Sequence, residues 1–91
     1  MSVKIKIPGV LSQRYAGGWD VVEVNGSTVG ECLKHLVEQF PNIETELFNE
    51  HGELLGYLDI YVNEESAYPE ELIKPVKDGD ELSIILMVGG G

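Results

Sequence analysis

A single cysteine, Cys32, is all the thiol this chain carries, so no internal disulfide framework can form and a reducing compartment suits it. One thiol also falls short of the four that an ordinary iron–sulfur cluster takes. Basic residues are scarce as well: 6 Lys and Arg stand against 16 Asp and Glu, a net charge of −10. A field of that sign repels phosphate backbones and anionic lipid, so nucleic acid and membrane are not expected as partners. A basic protein surface is the natural complement. No apolar run approaches the roughly 20 residues that cross a bilayer. Met1 to Ile7 alternates instead of forming the continuous apolar core of a secretory signal, and the expected location is therefore cytoplasmic. His35 and His51 have no histidine or cysteine at i+4, so no zinc site is expected and both read as solvated. The acidic groups Glu64-Glu65, Glu70-Glu71 and Asp78-Gly79-Asp80-Glu81 lack the ligand spacing of an EF-hand loop. Neither a Ser-His-Asp set nor a second cysteine points to side-chain nucleophilic catalysis.

What the chain does have is a simple order of elements. Its 91 residues suffice for one domain with one modest core. Val3, Ile5 and Ile7 alternate with Lys4 and Lys6, the period of a strand with one buried face, and Pro8-Gly9 ends it. A loop through Arg14, Tyr15, Ala16, Gly17 and Gly18 is expected to lead to a second strand, Trp19 to Val24, closed by Asn25-Gly26. Thr28 followed by Glu31 has capping-box spacing. Val29, Cys32, Leu33, Leu36, Val37 and Phe40 then recur at helical spacing, and Phe40-Pro41 stops that helix. Cys32 on this stripe reads as a small buried hydrophobe. Pro41 opens a second short helix through Phe48. Leu58 to Asn63 alternates as a third strand, Glu64 to Pro75 is a polar loop, and Lys77 to Glu81 is a turn about Gly79. Leu82 to Val88 is a last strand so apolar that it reads as central, or as covered on both faces. Gly89-Gly90-Gly91 follow it, and glycine suits a segment that threads a narrow channel.

A helical crossover permits parallel pairing of the first and last strands. The expected fold is therefore α+β, a β-grasp with a mixed sheet and one main helix across one face. Residues 1–88 would form the domain and 89–91 a flexible glycine tail.

At this point the chain resembles a known family, the ubiquitin-like small sulfur carriers of the MoaD/ThiS-like group. They include the small subunit of molybdopterin synthase and the carriers of thiazole and cysteine biosynthesis. The resemblance spans the whole chain. It rests on Val3-Lys4-Ile5-Lys6-Ile7-Pro8, on Ser27-Thr28-Val29-Gly30, on Asp59-Ile60-Tyr61-Val62-Asn63, and above all on Lys77-Asp78-Gly79-Asp80-Glu81-Leu82-Ser83-Ile84-Ile85 running into the glycines. It departs from the family in having Leu86-Met87-Val88 where proline is common, and in a third glycine.

The resemblance implies a carrier cosubstrate rather than an enzyme. The Gly91 carboxylate would be adenylated with ATP by an E1-like adenylyltransferase (MoeB/ThiF-like), then converted by a sulfur donor to a thiocarboxylate. That group would serve a sulfur-accepting synthase of the cysteine or molybdopterin type. The chain itself would hold no cofactor; the partner uses the ATP and the sulfur donor. Gly89 and Gly90 would thread into the partner, and Ile85, Met87 and Val88 are candidates for docking. By alternation Leu82, Ile84, Leu86 and Val88 share one face and Ser83, Ile85 and Met87 the other, so either both faces are buried or one set is partly open. Two other readings share the sequence: a ubiquitin-like modifier joined through Gly91 to lysines, and a non-covalent β-grasp binding module.

Overall fold

The computed structural model describes residues 1–87. Val88, Gly89, Gly90 and Gly91 lie outside the described residues, and so do the site and tail assignments that fall on them. Five strands are present: β1 Ser2–Lys6, β2 Val21–Asn25, β3 Leu58–Val62, β4 Glu65–Ser66 and β5 Glu81–Leu86. They form one sheet in the order β2-β1-β5-β3-β4, in which β1 and β5 are parallel and the other neighbours antiparallel. The expected pairing of first and last strands is observed, with Lys4 opposite Glu81 and Lys6 opposite Ser83.

The main helix, α2 (Val29–Gln39), starts where the Thr28/Glu31 spacing places it. The Glu31 N–H donates to Thr28 Oγ1 at 3.1 Å. The Glu31 carboxylate reaches back one residue further than a capping box requires, accepting from the Ser27 N–H at 2.8 Å and the Ser27 hydroxyl at 2.7 Å. Those two bonds hold its carboxyl below the usual glutamate range. Val29, Cys32, Leu33 and Leu36 are buried against the inner faces of Val3, Ile5, Val22, Val24, Ile60, Leu82 and Ile84. The Cys32 thiol, fully buried, is pushed up by desolvation, as a structural cysteine's should be.

Three sequence expectations need correction. The loop after β1 contains a helix, α1 (Gly9–Tyr15), and β2 begins at Val21 rather than Trp19. Pro8 sets up α1 by accepting from the N–H groups of Leu11 and Ser12, both at 2.9 Å. At seven residues α1 makes only about two turns and buries just Leu11 and Ser12, too few for a helical period to show. The polar stretch after β3 is also not all loop: β4 pairs with β3, and a 3₁₀ turn spans Glu71–Ile73. The short helix after Pro41 forms as a 3₁₀ turn, Pro41–Ile43, running into α3 (Glu44–Leu47).

Candidate functional site

The strand that leads into the glycines is held from both ends. At its start, Asn63 Nδ2 donates to Asp80 Oδ1 at 2.9 Å, and Asn63 Oδ1 accepts from the Glu81 N–H at 3.0 Å. The other Asp80 oxygen accepts from the Lys77 N–H at 2.8 Å. The Asn63 amide bond and then the Lys77 N–H keep the Asp80 carboxyl below the usual aspartate range. At the far end the Met87 N–H donates to the Tyr57 carbonyl at 2.8 Å, one residue past the ladder pair Leu58–Leu86. Met87, the last described residue, is therefore tied to the backbone just before β3.

β5 is central, as its apolarity suggested, but only one of its faces is covered. Leu82 and Ile84 are buried beneath α2, whereas Ile85 is 37% and Met87 49% exposed. The alternation thus separates a core set from an open set, and Ile85 and Met87 belong to the open one. Val88 lies outside the described residues. Register adds residues that single-strand reasoning missed. Ile85 lies opposite Asp59 and Ser83 opposite Tyr61, so Tyr57, Asp59 and Tyr61 share the outer face with Ile85 and Met87. Tyr57 is 46% exposed and Tyr61 half-buried. Alternation along Tyr57 to Tyr61 was the available signal, but which strand neighbours β5 is a tertiary fact. Asp59 is buried on this face with both oxygens used, one by the Ile60 N–H at 2.8 Å and one by the Ser66 hydroxyl at 2.7 Å.

Because β1 and β5 run parallel, the end of β1 and the end of β5 lie at the same edge of the domain. α1 and the Gly17–Asp20 connection occupy that edge too, since the Ile7 N–H bonds the Asp20 carbonyl at 2.7 Å. They bring exposed Val10 and Trp19 to the same end as Met87. Residues 1–28 carry Lys4, Lys6 and Arg14 against only Asp20 and Glu23, so the acidic surplus comes from the rest of the chain.

His35 is not simply solvated: it is half-buried, and its Nδ1 accepts from the Asn25 N–H at 2.8 Å. His51 is exposed, beside Glu50. Among the described residues, no three His, Cys, Asp or Glu side chains gather as metal ligands, and no helix is long and apolar enough to cross a membrane. A groove of about 610 Å³ lies between α2, α3 and Leu72 on the helix side, away from the outer face that Ile85 and Met87 share.

The ThiS family pattern matches residues 5–91. The small archaeal modifier protein 1 of Haloferax volcanii is 37% identical over 71 residues, which cover 77% of this chain and 78% of that protein. A protein of Archaeoglobus fulgidus provisionally named a sulfur carrier is 30% identical, with both chains covered in full. Among solved structures, the Amycolatopsis orientalis BexX/CysO complex contains a chain 34% identical to this one. It superposes with a TM-score of 0.86 over 98% of this chain and 99% of that one, and the fold is the ubiquitin-like β-grasp.

Proposed function

The chain belongs to the ThiS family of small carriers and ubiquitin-like modifiers, and from that premise we propose that it is a sulfur carrier whose Gly91 carboxylate is the working group. The observation that carries this reading is the fixed, half-open end of β5. The Met87 N–H is tied to the Tyr57 carbonyl two residues before the sequence Gly89-Gly90-Gly91, beside an apolar face on which a partner can seat.

A carboxylate is a poor electrophile because its leaving group would be oxide. An oxygen of the Gly91 carboxylate attacks the α-phosphorus of ATP, the bond to pyrophosphate breaks, and an acyl-adenylate remains. The terminal sulfur of a donor persulfide attacks the carbonyl carbon and AMP leaves. A thiol reductant then supplies two electrons to cleave the acyl disulfide, and the thiocarboxylate is released. The E1-like adenylyltransferase holds the nucleotide; the carrier contributes the tail and the docking face, so it acts as a cosubstrate. Sulfur is soft and nucleophilic as its anion, which lets the thiocarboxylate attack an acceptor in a synthase. The acceptor is a synthase of the cysteine or the molybdopterin type.

The identity with the Haloferax volcanii modifier supports a second reading, in which the same adenylate passes to lysines of target proteins. Intact mass spectrometry after co-expression with the host's E1-like enzyme separates the two. One sulfur replacing one oxygen at Gly91 supports transfer, and higher-mass adducts through Gly91 support conjugation. An unmodified carboxylate alongside an active adenylating enzyme, in sulfur-replete cells, counts against the carrier reading.

A further inference from the structure

An open hollow lies on the helix side of the domain, apart from the outer face of Ile85 and Met87. Its floor is apolar. Val37 from α2, Phe48 after α3 and Leu72 from the Glu71–Ile73 turn are each half-buried and line a groove of about 610 Å³. A second hollow of about 360 Å³ continues it past Gly52 and Leu72 to Leu54 and Ile73, and Ile73 is 66% exposed. Contiguous open apolar surface with a polar rim marks binding sites.

The walls are fixed by hydrogen bonds. The Val29 N–H donates to the Lys74 carbonyl at 2.9 Å, which ties the Glu71–Ile73 turn to the start of α2. Gly30 lets that turn close in, since a Cβ there would meet the Leu72 carbonyl oxygen at 2.8 Å. Asn49 shapes the rest of the rim: its Oδ1 accepts from the N–H groups of His51 and Glu53 at 2.8 and 3.0 Å, and Phe48 bridges to Leu54. A site already formed binds without first ordering itself.

The rim is acidic. Glu44 and Glu50 border the larger hollow and Glu53, Glu70 and Glu71 the smaller, and among the described residues Lys34 is the one lysine or arginine lining either. Glu50 meets His51 at 3.7 Å, and among the described residues none of the other four carboxylates lies within ion-pair reach of a lysine or arginine. Five carboxylates therefore border an apolar floor with one ammonium. The outer face differs, because there the Lys6 ammonium offsets Glu81 at 3.2 Å.

We propose that this groove docks a short basic, amphipathic segment of a partner protein, with its apolar side chains on the floor of Val37, Phe48 and Leu72 and its lysines or arginines against the acidic rim. Charge complementarity selects this occupant. A second copy would bring a further charge of −10, and nucleic acid and anionic lipid are repelled for the same reason. A purely apolar segment would leave the rim unpaired, and a purely basic one would leave the floor exposed to water. A partner seated on the helix side leaves Ile85 and Met87 open. The chain can thus be held by one protein while the end of β5 engages another, whatever becomes of Gly91.

The test is a titration of the whole isotope-labelled chain with the capped peptide Lys-Lys-Leu-Leu-Lys-Leu-Leu-Lys-Lys, read by amide chemical shifts. The shifts should gather on Lys34, Val37, Phe48, Gly52 and Leu72 and spare Ile85 and Met87. A peptide with serine for every leucine should bind at least about tenfold more weakly, through lost apolar burial. Glu44→Gln/Glu50→Gln should weaken binding of the leucine peptide about fivefold. Asp20→Asn/Glu23→Gln, which removes the same charge from the β2 side, should weaken it less than about twofold. Shifts spread over the acidic surface or centred on the outer face overturn the proposal. Equal losses in the two variants, equal binding of the serine peptide, or no binding at all overturn it too. Groove shifts that appear on concentrating the chain alone, and not with the peptide, assign the groove to a second copy and equally overturn it.

Discussion

Asn63 and Asp80 clasp each other across the start of β5, 2.9 Å from amide nitrogen to carboxylate oxygen, although 17 residues separate them. Asn63 holds a positive φ of 49°, in a turn whose next residue, Glu64, is at 74°. Asparagine tolerates that region better than most residues, so one side chain both shapes the β3–β4 turn and pins the entry to β5. The same pair makes the fold sensitive to acid. Asp80 has a folded pKa below its ordinary 3.8, so its contribution is present above that value and is lost as pH falls through the folded pKa. Asp80→Ala should lower stability at neutral pH by about 1 kcal/mol, from two unpartnered donors at a well-solvated site. Denaturant titrations should show the parent and variant curves converging as pH falls below the ordinary aspartate value of 3.8. A constant gap down to that pH would mean the carboxylate's charge plays no part.

Gly30 sits on α2 where a Cβ would lie 2.8 Å from the Leu72 carbonyl oxygen. Alanine gains about 1 kcal/mol of helix propensity over glycine. A backbone contact that close forces α2 or the Glu71–Ile73 turn to shift, which costs about 1–3 kcal/mol. The clash should win, and Gly30→Ala should unfold at lower urea than the parent despite being the better helix former.

Ile85 and Met87 are large apolar residues on an open face. Replacing both by serine should cost about 1–3 kcal/mol of stability, since half or more of each side chain is covered even in the free chain. If the face docks the adenylating enzyme, the same change should raise KM for the chain by tenfold or more, the scale of interface anchors at about 1–2 kcal/mol each. Equal KM values for the two proteins would remove this face from the interface.

Gly90→Ala addresses the tail. It should leave the thermal midpoint within about 1 °C of the parent, since terminal residues beyond the core contribute little to stability. A methyl group where a channel admits only backbone should lower kcat/KM for pyrophosphate exchange by tenfold or more, about 1.4 kcal/mol of lost transition-state stabilisation. A variant that adenylates normally would dissociate the glycine run from the chemistry.

Much of this was legible in the chain itself. Alternation in Val3–Ile7 and Leu58–Val62, the Thr28/Glu31 spacing and the stripe from Val29 to Leu36 specify their elements locally, because the periods 2 and 3.6 are properties of the backbone. Cys32 could be assigned to the core for the same reason. α1 was not legible: about two turns are too short to show a period, and it owes its start to the Pro8 carbonyl.

The sequence by itself determined the element order, the buried stripes and the glycine run, since each depends on residues close in the chain. Only the tertiary structure decided that Tyr57 and Tyr61 lie beside Ile85, that His35 accepts from the Asn25 N–H while Gln39 donates to the Glu23 carbonyl, and that the β1–β5 ladder ends at Lys6 opposite Ser83. The physical reason is register. Which strand lies beside which, and at what offset, is fixed by packing of distant segments around one core, and no local pattern encodes it.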